Sequence, residues 1–166
     1  MVAIVSDNAA NIKAAIELLK IPHMPCAAHT LNLTVMDSMN KIKEVEVLLN
    51  KCRNIVARFK RSTVAMDILK AEQINRQQPV LKILQDVSTR WNSQYYMLQR
   101  ILEIKDSLLI AITKLDDPPE FLTQDENKLI QDLCNCLEPF ENATQQLSGE
   151  LYVTSSLIIP LITGNF

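Results

Sequence analysis

The chain of 166 residues has little glycine, few aromatic side chains and no long apolar run. Only 2 glycines and 5% aromatic residues argue against an all-β sandwich and favour a mostly helical protein. The longest apolar runs, such as Leu108–Ile112, are far too short to cross a membrane. The N-terminal MVAIVSDNAA has neither a basic region nor a long apolar region, so we expect no signal peptide. These absences predict a helical protein without membrane contact.

The sequence also has too few cysteines for a disulfide-stabilised fold, but it has enough apolar residues for a core. Its 4 cysteines favour a reducing, intracellular environment over a secreted scaffold. Hydrophobic residues make up 48% and charged residues 22% of the chain, which excludes a disordered tail. The length fits one domain or a piece of a larger protein.

The net charge of −2 conceals an uneven distribution. Residues 1–100 contain 14 Lys and Arg against 8 Asp and Glu, whereas residues 101–166 contain 3 against 11. A basic first part is compatible with a polyanionic partner. Its densest stretch, KCRNIVARFKR at 51–61, includes Arg53 and Arg58. These cations either complement the C-terminus of a helix or contact nucleic acid.

Hydrophobic spacing predicts one strand before a run of helices. Val2–Ser6 is a short apolar run typical of a buried parallel strand, and Asp7 or Asn8 is placed to cap the helix after it. Pro22 and Pro25 end that helix and lead into a short extended piece. One strand cannot form a sheet, so the βα start indicates an incomplete α/β domain rather than a helical bundle.

Apolar residues three or four apart then predict long helices. One covers about 30–60, one runs from a cap at Ser62 or Thr63 to about 78, and one begins in DVSTRWNSQYY and ends before Asp116.

The last long helix begins at a recognisable N-terminal motif. Thr123 and Glu126 have the spacing of a capping box. Pro139 is expected to kink this helix or to end it early. A final apolar segment, SLIIPLI, follows Gly149.

Asp7 is the first candidate for chemistry. It follows a strand that we expect to be parallel, and ligands collect at the carboxyl ends of such strands. A carboxylate followed by asparagine could hold Mg²⁺ through oxygen. The alternative is that Asp7 only caps the next helix, and one carboxylate does not make a two-metal site.

His23, Cys26 and His29 are spaced as a small group of metal ligands. A structural zinc site needs a second pair of such residues, and none follows at suitable spacing, so we expect no zinc site in this chain. We therefore expect Cys26 to be a buried thiol and His29 to be a polar, hydrogen-bonded residue at the start of the long helix. A nucleophilic Cys–His pair would lack an orienting group and an oxyanion hole.

Arg90 and Trp91 form the last candidate pair. Side by side at a helix N-terminus, they could grip a phosphate and stack on a base. Equally, Trp91 could pack in the core while Arg90 pairs with Asp86. Of the two tyrosines that follow, we expect one buried and one exposed.

Five segments of the chain together resemble the transposases of the hAT superfamily and the BED-type zinc finger proteins domesticated from them. The segments follow the family's order and cover nearly the whole chain: SDNAAN at 6–11, PCAAHTLNL at 25–33, CRNIVARFKRS at 52–62, DVSTRWNSQYYMLQR at 86–100 and LEPFENATQQLSGELYVTSSLIIPL at 137–161. The last segment has Val153 where proline is usual in the family.

The resemblance implies a fold and a set of roles. Residues 1–30 would form part of an α/β RNase H-like core, as strand–helix–strand, and residues 31–166 a mostly α-helical region leading into the insertion domain. Asp7 would be one of three catalytic carboxylates that bind Mg²⁺. The remaining residues would support that centre or contact DNA: Cys26, His29, Arg53, Arg58, Arg90 and Trp91.

The resemblance also implies a function. The complete protein would be a nuclear, Mg²⁺-dependent enzyme that cleaves and transfers DNA strands, and it could oligomerise through regions outside this chain. Because two of the three carboxylates would lie outside residues 1–166, we expect this chain to be an internal fragment that is inert alone. The alternatives are a non-catalytic nuclear DNA-binding module and a helical protein-interaction module.

Overall fold

The computed structural model describes residues 3–7, 9–148 and 158–163. Within these residues the chain is predominantly helical and contains two short β-strands. The elements in chain order are β1 (Ile4–Ser6), α1 (Ala10–Leu19), β2 (His23–Pro25), α2 (Ala27–Asn40), α3 (Lys43–Lys60), α4 (Thr63–Asn75), α5 (Trp91–Glu103), α6 (Lys105–Thr113), α7 (Gln124–Leu147) and α8 (Ile158–Thr163).

Contacts divide the chain into two compact units. The first, which we call the strand-containing unit, comprises Met1–Ser38 and Pro139–Phe166. The second, the helical unit, comprises Met39–Glu138.

The strand-containing unit begins with a βαβ arrangement. Strand β1 pairs in parallel with β2, with Ile4 opposite His23 and Ser6 opposite Pro25, and α1 connects them. The predicted parallel strand is confirmed, but the expected burial is wrong, since Val5 is 59% exposed. The described residues contain these two strands alone, so they show a two-stranded sheet and not a complete α/β core.

The start of α1 differs from the prediction. Its N-cap is Ala9, in an extended conformation, and the Ala9 side chain makes no capping hydrogen bond. Asp7 is therefore not the N-cap residue, and the other candidate, Asn8, lies outside the described residues. The helix ends at Lys20, whose φ of 53° places it in the left-handed region.

The predicted helix over 30–60 is two helices, α2 and α3. The chain breaks before α3 because Ile42 adopts an extended conformation as its N-cap. Two acidic residues, Glu44 and Glu46, follow in the first turn of α3, where they complement the helix dipole. This local preference for a helix start outweighs the continuous apolar spacing.

The helical unit has a densely packed core. Helix α3 packs against α4 and α5, and α6 packs against α4 and α5. The fully buried side chains come from all four helices and include Phe59, Leu69, Trp91, Leu98 and Ala111. Burial at helical spacing confirms the amphipathic pattern seen in the sequence.

Helix α4 begins and ends at recognisable motifs. The Ser62 hydroxyl accepts a hydrogen bond from the Ala65 N–H at 3.2 Å, which confirms the predicted cap. At the other end the Gln77 N–H donates to Ile74 and the Gln78 N–H to Gln73, as in a Schellman motif. Gln77 takes the left-handed position, with a φ of 56°. Residues 76–90, which join α4 to α5, form neither helix nor strand, and we call them the strap.

Two further helix predictions are corrected. The helix expected to continue to residue 115 is interrupted at Ile104, which lies between α5 and α6 and is buried. Of the two outcomes predicted for Pro139, an early end is wrong, since α7 continues to Leu147, and a kink stays a prediction. The capping box is confirmed: the Thr123 N–H donates to Glu126 at 2.7 Å, and the Glu126 N–H donates to the Thr123 hydroxyl at 3.2 Å. No helix in the described ranges is long and apolar enough to cross a membrane.

Candidate functional site

The first candidate site is the end of β1, where Ser6, Asp7 and His23 meet. The Ser6 hydroxyl donates to the Asp7 carbonyl at 2.9 Å, and His23 Nε2 lies 2.9 Å from the same hydroxyl oxygen. Because the serine proton is directed at the carbonyl, we assign His23 Nε2 as the donor to Ser6. The Cys26 N–H donates to the Ser6 carbonyl at 2.9 Å. These bonds hold the backbone around Asp7, whose carboxylate is exposed.

Cys26 and His29 lie at the start of α2. Both side chains are half-buried, which corrects the expectation of a fully buried Cys26 thiol. The Cys26 carbonyl accepts from the Thr30 N–H at 2.9 Å and from the Thr30 hydroxyl at 3.0 Å, so Cys26 marks the beginning of the helix.

The described residues do not by themselves fit a magnesium centre. No group of three or more His, Cys, Asp or Glu side chains within them could hold a metal ion. Two-metal hydrolysis needs ions clamped between several carboxylates, and Asp7 is one exposed carboxylate.

The second candidate site is the contact between α3 and the strap. Arg53 Nε donates to the Asp86 carboxylate at 2.8 Å, and Arg53 Nη1 donates to the Asn50 side chain at 2.9 Å. The Asp86 side chain is only 4% exposed. The pair joins two segments of the family resemblance, and it replaces the predicted pairing of Asp86 with Arg90.

Other cations of the 51–61 stretch also bond within the helical unit. Arg58 Nε donates to the Asp117 carbonyl at 2.9 Å. Lys51 Nζ contacts Glu120 at 2.7 Å and Glu126 at 2.9 Å. Although desolvation opposes its charge, the hydrogen bonds to these two carboxylates raise the pKa of Lys51.

The end of the stretch has a different environment. Helix α3 ends at Lys60, with Arg58 and Lys60 in its last turn, as the helix-terminus interpretation predicts. Lys60 and Arg61 are exposed.

Arg90 and Trp91 have opposite environments although they are neighbours. Arg90 is the extended N-cap of α5, and it is exposed. Trp91 is 0% exposed, and its ring lies 6.2 Å from that of Tyr95. Trp91 is therefore a core residue in this structure, which leaves Arg90 as the accessible member of the motif. Tyr95 is buried and Tyr96 exposed, as predicted.

The two core cysteines are unreactive thiols. Burial raises the pKa of Cys52 to about 12 and that of Cys134 to about 11. At neutral pH both thiols are protonated, so neither supplies a nucleophile.

Two of these contacts could not be predicted from the sequence. The Ser6–His23 pair depends on strand register, and the Arg53–Asp86 pair joins residues 33 positions apart. One indication of the Arg53–Asp86 pair was present in the sequence, since both residues lie in segments that resemble the same family.

Comparison with known proteins gives the family. Residues 24–136 match the model described as "ZBED1 RNase-like helical domain". The chain is 34% identical to human zinc finger BED domain-containing protein 6 over 161 residues, which are 96% of this chain and 16% of that protein. It is 29% identical to human zinc finger BED domain-containing protein 4 over 158 residues, which are 95% of this chain and 13% of that protein.

A plant protein also matches. The chain is 33% identical to the putative AC transposase of Zea mays over 140 residues, which are 81% of this chain and 17% of that protein. The chain thus spans between about one eighth and one sixth of the length of these relatives. By the match over residues 24–136, the chain belongs to the family of the ZBED1 RNase-like helical domain, together with BED-type zinc finger proteins and hAT-type AC transposases.

Proposed function

We propose that this chain is part of a hAT-type, transposase-like protein that cleaves DNA and transfers its strands when complete, and that the chain alone has no nuclease activity. The placement of Asp7 carries the proposal. An exposed carboxylate follows a parallel strand, at the edge where such sheets collect ligands, and a hydrogen bond from the Ser6 hydroxyl to the Asp7 carbonyl fixes the backbone beside it. The relative described as a putative AC transposase supports the same interpretation.

The open strand-containing unit is consistent with membership of a larger core. Leu18 and Leu19 in α1 are 85% and 62% exposed, and Val5 is 59% exposed. Large apolar side chains at this exposure suit contact with further structure. We propose that they pack in an RNase H-like core to which other segments contribute strands and the remaining two carboxylates.

A plasmid-nicking assay tests this function. The chain alone should leave supercoiled plasmid intact in Mg²⁺, whereas a complete protein containing it should nick or linearise the plasmid. Asp7→Asn in the complete protein should abolish cleavage and spare DNA binding. The neighbouring Glu17→Gln is the matched control because it removes one carboxylate from α1. Full cleavage by the Asp7→Asn protein would refute the assignment.

The second candidate function is a non-catalytic, transposase-derived nuclear module that binds DNA. It is favoured by Arg90, which is exposed and whose guanidinium makes no hydrogen bond or ion pair with any described residue. Fluorescence anisotropy with a labelled DNA duplex tests it. Arg90→Ala should weaken DNA binding. It should also reduce the slope of log affinity against log salt concentration by about 1, the value for one phosphate contact. If Arg90→Ala bound DNA with unchanged affinity, a protein partner would be favoured instead. We also propose that the complete protein is nuclear.

A further inference from the structure

The strap lacks regular secondary structure, yet side chains from four helices hold it. The Gln73 amide in α4 both donates to the Leu81 carbonyl and accepts from the Leu81 N–H, each at 3.2 Å. Arg100 in α5 donates to the Lys82 carbonyl at 2.5 Å. The Ser107 hydroxyl of α6 donates to the Gln78 side chain at 2.5 Å, and Arg53 of α3 donates to the Asp86 carboxylate at 2.8 Å. A connection held at this many points is ordered rather than a loose linker.

The groups that hold the strap are largely removed from water. Gln73, Ser107 and the Asp86 side chain are buried, and so is Ile83 within the strap itself. A buried polar group that loses its partner loses the hydrogen bond without regaining water. The bonds therefore strongly favour one conformation of the strap.

The C-terminal end of the strap forms a tight turn into α5. The Ser93 hydroxyl accepts from the Val87 N–H at 2.8 Å and lies within hydrogen-bond distance of the carbonyls of Val87 and Arg90. The Arg90 N–H donates to the Val87 carbonyl at 3.0 Å. Asp86 thus lies immediately before a turn that ends at the exposed Arg90.

We propose that the Arg53–Asp86 pair, assisted by Ser93, is a positioning element that holds Arg90 in the orientation for contact with a DNA phosphate. The inference rests on the DNA binding proposed above and adds residues that act through Arg90 rather than on DNA. In this proposal Arg53 does not contact a phosphate directly, because its guanidinium donates hydrogen bonds to Asp86 and Asn50.

The effect of Asp86→Asn on DNA affinity shows whether the pair positions Arg90 or acts only through its charge. Asp86→Asn removes a negative charge, so electrostatic attraction to DNA alone would raise the affinity. Positioning predicts the opposite, a loss of about fivefold in affinity at constant salt, equivalent to about 1 kcal/mol, roughly one hydrogen bond. The matched control is Asp67→Asn, which removes the same charge from an exposed residue of α4, outside the strap, and should not weaken binding.

Ser93→Ala provides a second variant that changes no charge. It should weaken DNA binding by a similar factor because it releases Val87 and Arg90 at the surface. A double variant, Arg53→Gln with Asp86→Asn, should bind DNA as tightly as the single variant with the lower affinity. The reason is that both substitutions remove the same contact. Additive losses would show that Arg53 contacts DNA itself and would overturn the assignment.

Hydrogen exchange provides a readout that needs no DNA. The amides of Leu81 and Val87 should be protected in the wild-type chain, and Asp86→Asn should accelerate exchange over 86–90 while α3 stays protected. Unprotected exchange of the wild-type strap would overturn the inference, as would an Asp86→Asn chain that binds DNA like the control. If Asp86→Asn also removed the protection of α3, the variant would be unfolded. The DNA affinity of Ser93→Ala would then decide whether the positioning role holds.

The outcomes also distinguish the two proposals. If the wild-type chain binds no DNA, or if Arg90→Ala binds as well as wild type, the DNA-binding function fails and the positioning role fails with it. If Arg90→Ala weakens binding but Asp86→Asn and Ser93→Ala do not, the DNA-binding function stands and only the positioning role fails.

Discussion

The two units of this chain bury their apolar residues to very different extents. In the helical unit, α3 alone buries seven side chains, among them Leu48, Ile55 and Phe59. In the strand-containing unit, α1 buries only Ile16 and leaves Leu18 and Leu19 exposed. Apolar burial is the main favourable contribution to folding, and an isolated two-stranded sheet is marginal at best. The comparison indicates a self-sufficient helical unit and a strand-containing unit suited to further contacts.

Core truncation should show the largest difference between the units. Phe59→Ala in the helical unit should lower the free energy of unfolding by about 3–5 kcal/mol, because it leaves a cavity at a fully buried site. Leu18→Ala in the strand-containing unit should change it by less than about 0.5 kcal/mol. Urea unfolding followed by circular dichroism measures both. Equal losses would contradict the comparison.

Ion pairs should show the next largest effect. Arg53→Gln leaves the nearly buried Asp86 carboxylate without its cation and should destabilise the helical unit by about 2 kcal/mol. The control, Arg76→Gln, breaks a pair whose partner Asp106 is exposed, and it should cost no more than about 0.5 kcal/mol. Thermal unfolding at neutral pH compares them, and similar melting temperatures for the two variants would refute the prediction.

The capping box adds a pH dependence to the helical unit. Hydrogen bonds from Thr123 and Lys51 outweigh desolvation and lower the pKa of Glu126 below its ordinary 4.5. A lowered folded-state pKa gives stability that is present above pH 4.5 and is lost as the pH falls through the folded-state pKa. Glu126→Gln should therefore be less stable than wild type at pH 7 and should lose less stability on acidification.

The matched control is Glu120→Gln. Glu120 contacts the same Lys51 Nζ, but its side chain is far more exposed, so its removal should have the smaller effect at both pH values. Urea midpoints at pH 7 and pH 3 provide the comparison. An equal acid response in the two variants would show that the capping box does not carry the pH dependence.

The smallest expected effect concerns the left-handed residues that end one helix in each unit. Gln77→Gly in the helical unit and Lys20→Gly in the strand-containing unit relieve the Cβ strain at positive φ. Gln77→Gly should raise global stability by about 0.5 kcal/mol. Lys20→Gly should slow hydrogen exchange locally in α1 and leave the global unfolding midpoint unchanged. A shift in that midpoint would show that the two units unfold together.

Local features of the fold were predictable because their partners lie close in the chain. The Ser62 cap and the Thr123–Glu126 box each join residues three positions apart. The parallel strand β1 followed from its apolar run and the helix that comes after it. Periodicity and short-range hydrogen bonding contain enough information for such features.

Helix breaks and long-range pairs could not be derived in the same way. Apolar spacing continues through Ile42 and Ile104, yet the helices end there. Pro139 lies inside α7, although proline removes a backbone donor and was expected to disturb the helix. A local preference for a helix start decides the break at Ile42, whereas Ile104 is buried between α5 and α6. A single sequence does not contain the distances that decide such packing.

The sequence by itself determined the predominantly helical character, the caps of α4 and α7 and the family resemblance, since these depend on composition, short spacing and ordered segments. Tertiary structure alone decided what the candidate residues do: Arg53 holds Asp86, Trp91 joins the core, and Arg90 remains at the surface. These three residues lie in two neighbouring motifs of similar basic and aromatic composition. Their roles differ because burial and pairing depend on which helix faces the side chain, which is a property of the folded chain and not of the motif.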